Sequence, residues 1–241
     1  MFIPIAWGIT GAGHYLRETF DVMKRIMETN KFKITTYLSS AGVQVVKIYG
    51  LWDVLKKISN GGYLQEIFVE TDGGSFPYIG RFFRGVYKVL IVSPATANTV
   101  AKIVLGIADT IVTNAVAQAQ KSGIPIFIVP TDYCEGVIET TLPYRIERSE
   151  CRLCEKCFVI EVCPYSAVKF LSGFPHIDLA LCRGCGLCVN KCPFNAVKYG
   201  EKRGFKVRRI DFENVERLKG MEGITVLNNP HQIEDEILKL L

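Results

Sequence analysis

The chain has 241 residues, 49% of them hydrophobic and 22% charged, and a formal net charge of +5. That composition excludes a disordered chain and supplies core for one large domain, or for one large and one small. Mean hydropathy is +0.19, yet no run approaches the ~18 consecutive apolar residues of a membrane helix, and the opening MFIPIAWGITGAG lacks the basic n-region of a secretion signal, so a cytoplasmic location with no membrane partner is expected.

In chain order, the first 130 residues alternate between strand and helix patterns. FIPIAWG (2–8) is a short apolar run ending in glycine and predicts a buried strand. Residues 14–29 carry Leu16, Phe20, Met23 and Met27 on one helical face. FKITTYL (32–38) is β-branched and aromatic, a second strand. Residues 40–58 predict helix with a break at Tyr49-Gly50. EIFVE (66–70), VLIVSP (89–94) and IPIFIVP (124–130) predict three more strands, with helices over 97–105 and 111–121. Such alternation implies a doubly wound parallel sheet, an α/β fold. Ligands of these sheets sit beyond the carboxyl ends of the strands. Here those ends are Gly8–Gly11, Ser39-Ser40, Thr71–Pro77, Ser93–Thr99 and Thr131–Cys134.

Near residue 148 the composition changes. ECRLCEKCFVIEVCPYSAVKF (150–170) is repeated as LCRGCGLCVNKCPFNAVKYG (181–200), and this segment holds eight of the nine cysteines. The pattern predicts a first domain over 1–147, a small cysteine-rich insertion over 148–200, and a C-terminal α/β segment over 201–241. In that last segment FKVRRI reads as a strand, FENVERLKG as a helix, GITVL as a strand and PHQIEDEILKLL as an amphipathic helix with proline in its first turn. A separate tail domain of that size would bury little core, so the segment is expected to return to the first domain's sheet.

Eight clustered cysteines without an export signal point to metal or cluster ligation and away from a disulfide framework. Cys182-x2-Cys185-x2-Cys188-x3-Cys192-Pro193 is the bacterial ferredoxin run, in which the fourth cysteine ligates the other cluster. The expected sets are therefore Cys151, Cys154, Cys157 and Cys192 for one [4Fe–4S] cluster, and Cys182, Cys185, Cys188 and Cys163 for the other. Five residues separate Cys157 from Cys163 where the second half has three, which predicts a longer helical arm. The competing reading is a pair of zinc knuckles, built from C-x2-C units with a longer gap. The triple cysteine, the Cys-Pro ending and the repetition favour two iron–sulfur clusters. The 148–200 segment resembles a bacterial-type two-[4Fe–4S] ferredoxin domain, and that resemblance implies one-electron transfer.

GITGAG (8–13) follows a strand and opens a helix, where glycines let a backbone approach a phosphate. It fails as G-x-G-x-x-G, and a tight strand–helix turn is the plainer reading. Ser39-Ser40 stand where a helix begins, as caps or as phosphate donors. SPATANTVAKIVLGIADTIVTNA (93–115) is more specific: Thr96, Asn98 and Thr99 offer hydrogen bonds at a helix start, and the small residues leave room for something flat. An ordinary capping segment would look similar. The run resembles the P-A-[ST]-A-N-T signature of the homo-oligomeric flavoproteins, the cysteine decarboxylase-like superfamily that includes phosphopantothenoylcysteine decarboxylases and flavin prenyltransferases. K-x-x-x-G-x-A-D after it matches as well, and the resemblance spans about 1–147. It implies a flavodoxin-like sheet with FMN at its edge, often across a trimer interface. Carried over by motif, the FMN contacts are Thr10, Gly11, Ser39, Ser40, Thr96, Asn98 and Thr99. With two clusters and a flavin phosphate each contributing about −2, the +5 becomes roughly −1, so the basic balance calls for no nucleic-acid partner.

The superfamily's decarboxylases carry a histidine about fourteen residues before the motif's proline. Here that position is Gly80, and His14, His176 and His231 stand elsewhere; cysteine decarboxylation is not expected. The whole architecture resembles the superfamily's archaeal flavoproteins, particularly acceptor-type dihydromethanopterin reductases. The implied function is an iron–sulfur flavoprotein oxidoreductase, fed by an external donor such as a ferredoxin, passing electrons through two [4Fe–4S] clusters and FMN to a C=N substrate, dihydromethanopterin. Clusters carry single electrons and FMN collects two. The alternatives are an electron-transfer module serving a protein partner, or a prenyltransferase- or decarboxylase-like enzyme with structural clusters. The family also implies trimer-based homo-oligomers. Outside these sets, Cys134 reads as a packed thiol or a lid residue, His14 as a cap or a phosphate neighbour, and Trp7 and Trp52 as core. Arg81 and Arg84 read as solvated charge or as contacts to an anionic substrate. The basic run 202–209 reads as an exposed strand or, less simply, as a docking face for an acidic ferredoxin.

Overall fold

The computed structural model describes residues 2–70 and 77–239. The expected strand end at 71–77 therefore falls, Pro77's backbone apart, outside the described residues, as do the last two of PHQIEDEILKLL.

A six-stranded parallel sheet carries the larger unit. Its strands are β1 (Ile3–Ile9), β2 (Phe32–Leu38), β3 (Ile67–Val69), β4 (Val89–Ala95), β5 (Ile126–Pro130) and, from the far end of the chain, β12 (Ile224–Val226). Their order is β12-β5-β4-β1-β2-β3, every pairing parallel. The central strands are apolar on both faces because helices cover both; all seven residues of β4 are buried. On one face lie α1 (Leu16–Glu28), α2 (Ser40–Ile48), α3 (Trp52–Ile58) and α9 (Gln232–Leu238), around Trp7, Phe20, Met23 and Leu55. On the other lie α4 (Gly80–Phe83), α5 (Ala97–Val104), α6 (Ile111–Lys121) and α8 (Arg209–Lys219), around Tyr37, Phe82, Val112 and Leu218. The i, i+4, i+7 spacing of Leu16, Phe20 and Met23 buries one stripe of α1. The break between α2 and α3 falls at Tyr49 to Leu51, with Gly50 at φ 71°.

Between β5 and α8 the chain leaves this sheet. β6 (Val137–Thr141) and β11 (Lys202–Lys206) pair antiparallel and form a stem. Beyond it, β7 (Arg145–Ile146) pairs with β10 (Val197–Lys198), and the cysteine-rich unit hangs from that second ladder. It contains α7 (Phe158–Val162) and the hairpin β8 (Val168–Leu171) to β9 (Phe174–Ile177). Its small core gathers Tyr144, Val159, Val168, Ile177 and Val197 among the cysteines. The unit thus takes in Tyr144–Ile146 ahead of residue 148. FKVRRI divides: β11 stops at Lys206, and α8 begins at Arg209, where the Arg208 guanidinium holds the Asp211 carboxylate at 2.6 and 2.7 Å.

No helix of the described residues is long and apolar enough to cross a membrane.

Candidate functional site

The carboxyl end of the sheet brings three loops together. β4 shifts register between Val92 and Ala95, which frees carbonyls that a ladder would otherwise use. Trp7 Nε1 donates to the Ser93 carbonyl at 3.1 Å, and the buried Thr10 hydroxyl donates to that of Pro94 at 2.7 Å. The same Thr10 oxygen accepts from the Thr96 N–H at 2.9 Å. Thr10 therefore clamps the glycine loop to the start of α5. Thr96 in turn caps α5, accepting from the Thr99 N–H at 3.2 Å, and its hydroxyl meets that of Thr99 at 3.0 Å.

Gly11 is needed for packing: a methyl group there would stand 2.5 Å from the Ala41 Cβ in the first turn of α2. The Ser39 hydroxyl accepts from the Gly42 N–H at 3.0 Å and caps α2, keeping its own proton free to donate. Asn98 is exposed in the first turn of α5. Among the described residues the Gly11 N–H finds no acceptor. The loop, the Ser39 hydroxyl and Asn98 thus offer unspent donors at two helix starts, a set that fits an anionic, flat group. Ser40 differs. Its N–H and hydroxyl both donate to one Glu70 oxygen at 3.0 Å, while the other Glu70 oxygen accepts from the Ile111 N–H at 3.0 Å. Glu70, at the end of β3, ties down the starts of α2 and α6. Sequence reasoning missed it, and its one signal was an acidic residue closing a strand.

His14 follows the glycine loop. Burial holds its pKa below the ordinary value, against opposing pulls from Glu18, the Glu139 backbone and Asp132. Its Nε2 is buried and, among the described residues, without a partner. It borders a polar cavity of about 210 Å³ between the glycine loop and the stem, lined also by Arg17, Glu18, Tyr49, Glu139 and Lys202. Cys134 lies in the loop after β5, half-buried. Arg81 is bound to Glu66 by two hydrogen bonds of 3.0 and 2.8 Å, so it is neither simply solvated nor free for a ligand.

The eight remaining cysteines wall two cavities. One is lined by Cys151, Cys154, Cys157 and Cys192. The other is lined by Cys163, Cys182, Cys185 and Cys188. Each cavity takes three thiols from one half of the repeat and one from the other. The repeat is pseudo-symmetric at the exchanged thiols: Cys163 Sγ accepts from the Ala167 N–H at 3.3 Å, and Cys192 Sγ from the Ala196 N–H at 3.4 Å. The longer Cys157–Cys163 gap is taken up by α7, where the second half has only a 3₁₀ turn over Val189–Lys191. Burial pushes the Cys182 thiol up and that of Cys188 to about 11, so as free thiols both are neutral at pH 7. Each cavity offers four thiols, the number a [4Fe–4S] cluster takes.

The two units touch through the second cavity's loop. Gly50, between α2 and α3, meets the backbone of Gly184, between Cys182 and Cys185. Tyr144, in that cavity's wall, stacks on Tyr199 with centroids 4.2 Å apart. The Arg17 guanidinium of α1 lies 5.3 Å from the Tyr199 ring centroid and donates to the Tyr49 carbonyl at 3.1 Å. Tyr49 in turn donates to the Thr141 carbonyl at 2.6 Å. None of Arg17, Tyr49, Tyr144 and Tyr199 stands out in the sequence, since their proximity is purely tertiary.

A parallel sheet with phosphate-type loops at its carboxyl end, joined to a two-cavity cysteine unit, defines an iron–sulfur flavoprotein. The Flavoprotein family matches residues 2–135 and the 4Fe-4S binding domain family residues 175–198. The chain belongs to the Flavoprotein family, with a ferredoxin-type unit added. It is 48% identical over 235 residues to the dihydromethanopterin reductase (acceptor) of Methanosarcina mazei, covering 96% of this chain and 98% of that one. To the protein of the same description from Methanocaldococcus jannaschii it is 49% identical over 233 residues, covering 96% and 94%. A crystal structure of Burkholderia xenovorans DmrB with FMN, described as a cubic protein cage for redox transfer, shares the fold at a TM-score of 0.61 and 23% identity, over 99% of this chain and 95% of that one.

Proposed function

We propose that the chain is a reductase of the acceptor type that reduces a C=N bond of dihydromethanopterin to give tetrahydromethanopterin, fed by an external one-electron donor. The near full-length likeness to two such reductases supports the substrate. The observation that carries the reading is the series formed by two four-thiol cavities and the glycine-loop site, with the second cavity's loop lying against the flavoprotein unit at Gly50. In this reading Cys151, Cys154, Cys157 and Cys192 hold one [4Fe–4S] cluster, and Cys163, Cys182, Cys185 and Cys188 the other. Thr10, Gly11, Ser39, Ser40, Thr96, Asn98 and Thr99 form the FMN site. When bound, the clusters supply single-electron transfer and FMN supplies two-electron hydride chemistry.

The protein's own groups bind and orient. Thr10 fixes the glycine loop against α5 by its two hydrogen bonds. The Ser39 hydroxyl and the Gly11 N–H, both unused as donors among the described residues, would donate to the phosphate of a bound FMN. For Ser40 to join them, its bonds to Glu70 must break, so Ser40 is a conditional contact. The cavity beside His14, with Glu18 and Glu139 in its wall, is a polar space next to the glycine loop in which to receive a pterin. We further propose a trimer-based homo-oligomer located in the cytoplasm; exposed Phe83 and Leu105, 76% and 67% accessible, give the flavoprotein unit apolar surface for it.

The first test is the composition of protein purified without air. About eight iron, eight sulfide and one FMN per chain are expected. Chemically reduced protein is then expected to convert dihydromethanopterin. Zinc in place of iron and sulfide overturns the electron path, and full cofactor loading without turnover overturns the substrate.

A further inference from the structure

The two thiol cavities face different surroundings. The one walled by Cys182 belongs to the contact with the flavoprotein unit. The one walled by Cys151 and Cys192 opens among Leu153, Phe158, Phe170 and Phe194, which are 48, 48, 56 and 45% exposed. Four large apolar side chains around one opening form a surface of the kind that a partner covers.

The charged side chains that line this opening are basic, although Glu155, exposed between Cys154 and Cys157, stands close by. Arg152 and Lys191 line it and no Asp or Glu does. The nearby ion pairs, Lys156–Glu161 and Lys198–Glu150, leave both cations unmatched among the described residues. The other basic stretch, 202–209, is different: Lys202 pairs with Glu139, Arg208 with Asp211 and Arg209 with Glu213. Arg203 and Lys206 stay unpaired there among the described residues, but none of the run lines either thiol cavity.

We infer that the face formed by Leu153, Phe158, Phe170 and Phe194 and flanked by Arg152 and Lys191 is the docking surface for a small acidic electron-carrier protein. This rests on the reductase reading, which requires an external donor. In the step it serves, one electron leaves the reduced carrier, which is thereby oxidised, and arrives at the Cys151, Cys154, Cys157 and Cys192 set beneath the face; no atom or proton is exchanged. Opposite charge steers the encounter and is screened by salt, and the apolar residues form the desolvated centre of the contact.

The test uses the cofactor-loaded protein and a small acidic two-[4Fe–4S] ferredoxin, with binding measured by calorimetry at about 0.01 M and about 0.15 M ionic strength. Arg152→Glu with Lys191→Glu is expected to weaken binding by about tenfold or more at low salt and to flatten the salt dependence. Leu153→Ser is expected to weaken it at both salts, and Lys31→Glu, an exposed reversal on the flavoprotein unit, to leave it unchanged. Iron content and chemical reduction of all variants are expected to match the parent. Unaltered affinity in the double variant overturns the inference. So does a change of sedimentation in that variant, which would make the face a contact between copies. Failure of the reductase reading looks different: the ferredoxin binds normally, and chemically reduced protein leaves dihydromethanopterin untouched.

Discussion

Gly50 and Gly184 meet backbone to backbone: a methyl group on Gly50 would stand 2.7 Å from the Gly184 carbonyl oxygen. Both sit at positive φ, 71° and 61°, so each position demands glycine twice over, for conformation and for clearance. Gly50→Ala is expected to cost about 1–2 kcal/mol from the left-handed backbone alone and to separate the ferredoxin unit from α2 and α3. Iron and flavin content should hold, while flavin bleaching after mixing with a reduced ferredoxin slows. Stopped-flow absorbance checks this, and an unchanged rate would mean that the contact does not carry the transfer.

The exchanged cysteines allow a sharper test. Cys192→Ala is expected to lose the cluster shared with Cys151, and Cys163→Ala the one shared with Cys182. Each should drop from about eight iron to about four, with different remaining spectra by electron paramagnetic resonance. Cys163→Ala should abolish flavin reduction by a reduced carrier protein, because the set it removes is the one against the flavoprotein unit.

Thr10→Val keeps shape and removes the hydroxyl between Pro94 and Thr96. The Thr96 N–H then loses its acceptor in a site where Thr10 is 2% exposed. A loss of about 1–3 kcal/mol in stability is expected, together with weaker FMN binding by fluorescence titration. Ser39→Ala should weaken FMN binding and cost about 1 kcal/mol of stability as a lost cap.

His14 sets a pH dependence. Burial lowers its folded-state pKa, so below its unfolded pKa of about 6.5 the unfolded chain gains a proton that the folded one resists. Its contribution to stability is full above about 6.5 and lost as pH falls through the folded-state value. Melting temperature between pH 8 and 5.5 should fall more steeply in the parent than in His14→Gln. Equal slopes would remove His14 as the source.

Much of the fold was legible because parallel strands buried on both faces write continuous apolar runs: FKITTYL and VLIVSP mark their strands to within a residue. The cysteine grouping was legible for a different reason, since ligand spacing is local chemistry. FKVRRI misled because its alternation suits a strand, while the Arg208–Asp211 pair starts a helix two residues after β11 ends. Glu70 and the Tyr144–Tyr199 stack were out of reach for the same physical reason: their partners are distant in sequence and are brought close only by the packed sheet and the stem. The role of Ser40 was only half legible, because the sequence shows a donor and the structure shows that Glu70 already holds it.

The stem has a consequence for how the chain is made. β6 and β11 are partners in one ribbon, so to the folding chain everything from 142 to 201 is the turn of a hairpin. Lengthening a turn is cheap, about 0.6 kcal/mol for each doubling, and a redox cassette of that size can hang there at little cost to the sheet. Yet β12, which completes the sheet beside β5, is synthesised only after the cassette. Until it arrives β5 is a bare apolar edge, open to pairing with other chains. The cysteines therefore leave the ribosome before the strand that closes the flavoprotein sheet, and a chain stalled between the two exposes thiols and an unpaired strand together.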